Sequence, residues 1–218
     1  MRLAPLPPSL IVIKPSGEVF SCYLMWLSHV NLDILNSKDL YQLLYRIDCD
    51  LAKLLQFKNC PHCNSILHFS NYLRKPRGGP DFLDEKFSLR HSLCCSNEAC
   101  RKRSLPTSCR FWGRKVYWGI IVLVATTLKQ NRSSGFSANR IKKLFGVSRH
   151  TLKRWVFYFN QIFPVSDIWK KCQGRINLYF PKKDLPVGVF SLFMSQSLSE
   201  GEGIIKTLLF LSGVDEMI

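Results

Sequence analysis

Carboxylates are the scarce residues of this chain of 218 residues: 15 Asp and Glu stand against 31 Lys and Arg, a formal net charge of +16. That imbalance exceeds what an enzyme of small metabolites needs and points to a polyanionic partner, with nucleic acid first and an anionic membrane surface second. Long hydrophobic runs are also missing. The longest, Gly119 to Leu128, holds Thr126 and Thr127 and reaches about half of the roughly 20 residues that a membrane span requires, so it predicts a buried helix. A signal peptide needs an unbroken apolar stretch, but Pro5, Pro7 and Pro8 interrupt the start of the chain ahead of Leu10-Ile11-Val12-Ile13. The expectation is a cytoplasmic protein with no membrane partner. No internal repeat is visible, which excludes a solenoid or propeller. What is present is enough apolar material, 46% with 12% aromatic, to build a core and exclude wholesale disorder.

The charge is uneven along the chain. Residues 1–56 carry five basic and five acidic side chains, 57–112 ten and four, 113–185 fifteen and two, and the remainder one and four. The first segment has Leu40, Leu43, Leu44, Ile47, Leu51, Leu54 and Leu55 at helical spacing, with Ser37 as the expected N-cap. Trp26, Tyr41 and Tyr45 read as core. Segment 57–112 has no sustained helical period; it holds a breaker, Pro76-Arg77-Gly78-Gly79-Pro80, and strand-like runs at Ile66–Tyr72 and Phe87–Leu93. Segment 113–163 predicts helices over 114–130, 138–145 and 149 to about 162, with a polar break at Asn131-Arg132-Ser133-Ser134-Gly135. From 164 to 218, Pro181, Pro186 and Gly188 suggest an irregular tail.

Nine cysteines are an odd number, so a complete intramolecular disulfide set is impossible. Cys60-Pro61-His62-Cys63 is a C-x2-C knuckle and Cys95 to Cys100 a C-x4-C partner, flanking the two strand-like runs. Two such turns at the base of a hairpin can present four thiolates to one tetrahedral Zn2+. All four ligands would be protein thiolates, which leaves no coordination position for water and makes the ion structural. Cys94 competes with Cys95, although adjacent residues of a strand face opposite ways and the knuckle spacing favours Cys95. His62 and His91 are the substitute ligands, Cys109 reads as a free thiol, and Cys22, Cys49 and Cys172 as buried ones. Cys60-Pro61-His62-Cys63 also matches a thioredoxin-like redox dipeptide, but no βαβ pattern surrounds it.

The strongest local pattern runs from Ser137 to Trp155. Gly146 can end one helix in the left-handed conformation and Ser148 can cap the next. Ile141, Phe145, Val147, Leu152 and Trp155 are spaced to fill the angle between them, which leaves Arg149, His150, Lys153 and Arg154 outside. A recognition helix needs such residues at its N-terminal end to reach base edges, with flanking cations on phosphates. Helix 114–130, through Val116, Ile120, Leu123, Val124 and Leu128, would complete a three-helix unit.

Together, Cys-x2-Cys, Cys-Ser-Asn-Glu-Ala-Cys-Arg and Gly-Val-Ser-x-x-Thr-Leu-x-Arg-Trp resemble the zinc-ribbon and helix-turn-helix front end of bacterial insertion-sequence transposases and their accessory proteins. The resemblance covers about residues 58–162 and none of the first 56. It implies Cys60, Cys63, Cys95 and Cys100 as zinc ligands, Ser148 to Trp155 as recognition helix, and double-stranded DNA together with a separate transposase or recombinase as partners. Such transposases resemble RNase H-like nucleases with three carboxylates on a further domain. The acids after Ile162, namely Asp167, Asp184, Glu200, Glu202, Asp215 and Glu216, have no strand-borne frame, and no nucleophile elbow or phosphate loop accompanies them.

The reading is an α+β chain in four parts: an N-terminal helical segment (1–56), a β-hairpin zinc ribbon (57–112), a three-helix helix-turn-helix unit (113–163) and the tail. It would bind double-stranded DNA without catalysis as an accessory protein of a mobile element, using one structural Zn2+. Arg149, His150, Lys153 and Arg154 would read or flank the major groove, Arg140, Lys142 and Lys143 would hold phosphates, and Arg101, Lys102, Arg103 and Arg110 would extend the footprint. A host transcription regulator, an RNA-binding protein and a thiol oxidoreductase are the competing readings.

Overall fold

The computed structural model describes residues 32–112, 116–131, 136–176, 181 and 184–214; Cys22, Trp26, Arg114, Asp215 and Glu216 lie outside them. Helix α1 (Lys38–Phe57) starts where expected, with Ser37 Oγ accepting from the Leu40 N–H. Its buried stripe is Leu40, Tyr41, Leu44, Asp48 and Ala52, while Leu43 and Leu54 of the expected leucine face are exposed. A carboxylate therefore occupies the centre of the packed face.

Segment 57–112 is a bent antiparallel hairpin. Strand β1 (Leu67–Phe69) pairs with β4 (Leu93–Cys95), and beyond the bend β2 (Tyr72–Leu73) pairs with β3 (Leu89–Arg90). Strand β5 (Arg103–Ser104) adds to the free edge of β4. The second expected run is displaced toward the cysteines because Phe87 and Ser88 belong to a 3-10 turn capped by Asp84.

Helix α2 (Gly119–Gln130) begins later than residue 114. Val116, expected on its packing face, precedes the helix and is exposed. Loop 108–110 crosses its first turn so closely that a Cβ on Gly119 would lie 2.8 Å from the Cys109 carbonyl oxygen. Gly119 N–H donates to that loop at Arg110 O, 2.7 Å. From Gly119 to Leu128 every residue is buried, as an apolar run with polar neighbours on both sides predicts. Helices α3 (Ala138–Phe145) and α4 (Arg149–Phe157) pack against it at a corner. Gly146 turns that corner at φ +63°. No atom lies within 4 Å of a Cβ there, so Gly146→Ala should cost only the left-handed backbone penalty, about 1 kcal/mol, in a chemical denaturation series. A cost near zero would mean the corner does not hold this conformation.

Beyond α4 the chain passes through a π turn at Tyr158–Ile162 and a 3-10 turn at Phe163–Val165. The expected irregular tail is instead helical: α5 (Asp167–Gln173), α6 (Val187–Ser195) and α7 (Glu200–Leu211). Pro186, one of the residues that suggested irregularity, sits just ahead of α6, and Pro164 sits in the 3-10 turn, both at boundaries where the missing N–H costs nothing. Helices α6 and α7 pack on each other and on α2. The main core accordingly runs from Leu35 to Val214, and a small second cluster, Cys60, Leu67, Leu93 and Cys95, sits under the hairpin.

One polar network pins three parts of the chain together. Asp48 of α1 is fully buried; it accepts from Ser108 Oγ, from the Cys109 N–H at 2.9 Å and from Arg110 Nε at 2.9 Å. The Arg110 guanidinium donates onward to Phe87 O at 2.6 Å and Leu89 O at 2.9 Å and lies over the Tyr45 ring. Helix α1, the far end of the hairpin and the loop entering α2 thus meet at one ion pair.

Candidate metal centre and basic cleft

The two cysteine turns converge because each reverses the backbone with residues that tolerate positive φ. Asn59 (φ 57°) and Asn64 (φ 58°) flank the first. There Cys60 N–H donates to Ser65 O and Asn64 N–H to Cys60 O, both at 2.8 Å. In the second, Cys100 N–H and Arg101 N–H both donate to Asn97 O, at 3.0 and 2.9 Å, and Arg101 takes φ 44°. The register Leu67↔Cys95 and the bond from Ser96 N–H to Ile66 O, 3.0 Å, then set one turn beside the other.

The result is a cluster in which the sulfurs of Cys60, Cys63, Cys95 and Cys100 all lie within 4.8 Å of one another. Cys63 and Cys95 are 3.3 Å apart and Cys60 and Cys100 3.8 Å. A tetrahedron with arms of about 2.3 Å has edges of about 3.8 Å, so the sulfurs already stand at the separations of a metal-thiolate site. Four thiolates this close repel one another unless a cation sits among them. Hydrogen bonds from Ser65 pull the Cys63 thiol down to about 6, while burial pushes Cys95 up to about 12. Metal binding must therefore displace a proton from Cys95, and affinity falls as pH drops.

The competing ligands are accounted for. Cys94 lies on the opposite face of β4, its Sγ 3.6 Å from Arg101 O, as strand alternation requires. His62 faces Lys102 Nζ at 3.5 Å, and His91 is buried with Nε2 3.3 Å from Cys49 Sγ. Cys109 is buried, and its thiol, pushed well up by burial and by Asp48, donates to that carboxylate at 3.2 Å. Cys172 donates to Phe210 O at 3.1 Å. The described cysteines are all free thiols.

On the helical corner, Ser137 and Ser148 cap α3 and α4. Arg140, Lys142, Lys143, Arg149, His150, Lys153 and Arg154 are exposed. Arg149 is held across the corner by Asn139, whose Oδ1 accepts from Nη2 at 2.6 Å and Nε at 3.0 Å. Arg140 stacks over Phe136 at 4.2 Å. On the hairpin, Arg101, Lys102 and Arg103 are exposed, Arg101 near Glu98 and Arg103 donating to Ser70 Oγ. Arg110 is the correction: it is 1% exposed and paired with Asp48, so it is unavailable to a polyanion. Its place in a run of basic residues concealed a partner 62 positions earlier in the chain.

Two further cations stand beside α4. An open cleft of about 1330 Å³ between α4 and segments 107–112, 116–117 and 158–168 is bordered by Arg77, Arg90, His150, Lys153 and Arg154. Arg77 had been legible only as part of a chain breaker; the bonds Arg77 N–H to Val116 O, 2.8 Å, and Trp118 N–H to Arg77 O, 3.3 Å, bring it to the start of α2. Among the described residues, none that lines the cleft is acidic. The hairpin cations Arg101, Lys102 and Arg103 do not border this cleft. Among the described residues no helix is long and apolar enough to cross a membrane.

No protein-family model, curated protein or solved structure matches the chain.

Proposed function

We propose that this chain is a non-catalytic, zinc-dependent binding protein for double-stranded DNA, an accessory component of transposition that works beside a separate transposase or recombinase. What carries the reading is the closed four-sulfur cluster followed along the chain by a capped helical corner whose exposed side chains are cationic. In this reading one Zn2+, held by Cys60, Cys63, Cys95 and Cys100, fixes the hairpin as a zinc ribbon and has no open position for chemistry. The helix α4 enters the major groove with His150 near its start and Lys153 and Arg154 toward the backbone, while Arg140, Lys142 and Lys143 hold phosphates. Arg149, braced by Asn139, is pre-positioned at the groove entrance. Arg101, Lys102 and Arg103 of the ribbon lengthen the footprint.

If six phosphates are neutralised, affinity for duplex DNA falls about 10^3-fold between 50 and 200 mM salt, because each contact releases a counterion. Titration of a labelled duplex at several salt concentrations measures the slope; a flat response removes the electrostatic basis of the reading. Sequencing of sheared genomic DNA retained by the protein tests the biological role. Retention of repeated element ends supports transposition, whereas retention of sequences upstream of unrelated genes makes the chain a transcription regulator.

A further inference from the structure

The geometry points to the cleft beside α4 as a binding site for unpaired DNA, so that the protein engages a junction: duplex on the exposed face of α4, and the single strand leaving it in the cleft. This rests on the DNA-binding reading above and deepens it by naming the DNA structure that is bound.

Among the described residues the charge of the cleft is of one sign: Arg77, Arg90, His150, Lys153 and Arg154 border it with no described carboxylate in its lining, and Arg77, His150, Lys153 and Arg154 make no salt bridge among the described residues. Arg90 is 7% exposed, with Nη2 committed to Pro106 O. Its other terminal nitrogen, Nη1, is buried without a hydrogen-bond partner. A buried guanidinium N–H without an acceptor is costly, and the Arg90 charge adds to the positive lining of the cleft. Burial already holds the Arg90 side chain below the usual guanidinium range, a direction that an arriving phosphate would reverse.

Cations alone would fit any polyanion; the aromatic and apolar surface between them narrows the choice. Phe157 is 58% exposed and Val116 53%, at the mouth of the cleft. Trp112 and Tyr158 line it half-buried, and Tyr117 and Trp155 form a buried edge-to-face pair in its wall. Duplex DNA offers groove edges and phosphates but keeps its base faces stacked inside. The exposed ring of Phe157 beside these cations matches an unpaired base on a phosphate backbone, the combination by which single strands are held. The volume also exceeds the roughly 300–1,000 Å³ of ordinary small-molecule pockets, which suits an extended chain over one small ligand. Lys153 and Arg154 belong to both surfaces, α4 and cleft, so a strand can pass from one to the other without leaving positive potential.

The test uses the full zinc-loaded chain and fluorescence anisotropy with three labelled synthetic DNAs: a blunt duplex, the same duplex with a single-stranded tail of about 10 nucleotides, and the tail strand alone. The tail is expected to raise duplex affinity about tenfold. The double variant Arg77→Ala/Phe157→Ala, both exposed side chains, should abolish that gain and leave blunt-duplex affinity within about twofold. A far-ultraviolet circular dichroism melt confirms that the variant is folded, and Phe157→Tyr, which keeps a ring, should restore most of the gain. Equal affinity for tailed and blunt duplex overturns the inference and leaves the DNA-binding reading standing. So does a variant that weakens both DNAs alike, or displacement of the tail by polyglutamate as readily as by unlabelled single strand. Failure to bind any of the three DNAs overturns the functional reading, and this inference with it.

Discussion

Cys95→Ser should lose the bound metal and unfold the hairpin, whereas Cys94→Ser, one residue away, should keep both. The serine oxygen replaces a buried sulfur standing 3.3 Å from Cys63, while Cys94 points to the opposite face, its Sγ beside the backbone oxygens of Cys95 and Arg101. Magnitudes explain why the effect reaches the fold. The core under the hairpin consists of Cys60, Leu67, Leu93 and Cys95, and burying its two leucines contributes about 3–6 kcal/mol. Binding of structural zinc contributes an apparent free energy of about 10–16 kcal/mol at neutral pH. An ion in the cluster would therefore outweigh the apolar contacts, and removing one ligand should reduce metal content from one equivalent per chain toward none. Metal analysis of the purified variants reads the stoichiometry, and amide exchange at Leu67 and Leu93 reads the hairpin. Retention of the metal in Cys95→Ser with its loss in Cys94→Ser would reassign the ligand set.

Asp48→Ala should destabilise the folded chain by about 3–5 kcal/mol, the cost of leaving a buried charge without its partner. The Arg110 guanidinium would retain the carbonyl oxygens of Phe87 and Leu89 but lose its one anionic partner among the described residues, and Ser108 Oγ and the Cys109 N–H would lose an acceptor. Surface ion pairs in the same molecule, such as Lys53 with Asp50 or Lys170 with Asp167, should matter by less than about 1 kcal/mol, because both partners remain hydrated. Combining Asp48→Ala with Arg110→Met should recover part of the loss, since removal of both charges ends the imbalance. Denaturant unfolding with zinc held saturating separates this effect from metal loss. A cost of Asp48→Ala below about 1 kcal/mol would mean that water reaches the pair.

How much of this was legible in the sequence depends on how far apart the interacting residues lie. The caps at Ser37 and Ser148 and the left-handed turn at Gly146 involve neighbours within a few positions, and all appear where the spacing placed them; Ser137 caps α3 by the same local chemistry, without having been read as a cap. The same holds for the choice of Cys95 over Cys94. The C-terminal helices are hidden in the sequence because Pro181, Pro186 and Gly188 read as breakers, although a local signal is present: Ser199 and Glu202 stand at capping-box spacing. Ser199 Oγ accepts from Glu202 N–H, and Glu202 in turn accepts from Leu198 N–H at 2.9 Å. Ser166 caps α5 in the same way, through the Trp169 N–H at 3.2 Å.

The sequence alone determined the cationic character of the chain, the cysteine spacing that closes a four-sulfur cluster, and the capped corner with its basic exposed residues. These follow from composition and from contacts a few residues apart, where backbone geometry leaves few alternatives. Only the tertiary structure decided that Arg110 is an internal strut rather than a contact for a polyanion. It alone decided that Arg77 and Arg90 join His150, Lys153 and Arg154 around a cleft, and that the last helices close the core about α2. The reason is physical: a charge is defined by what surrounds it, and Asp48 finds Arg110, or Arg77 finds the start of α2, only after the intervening chain has folded.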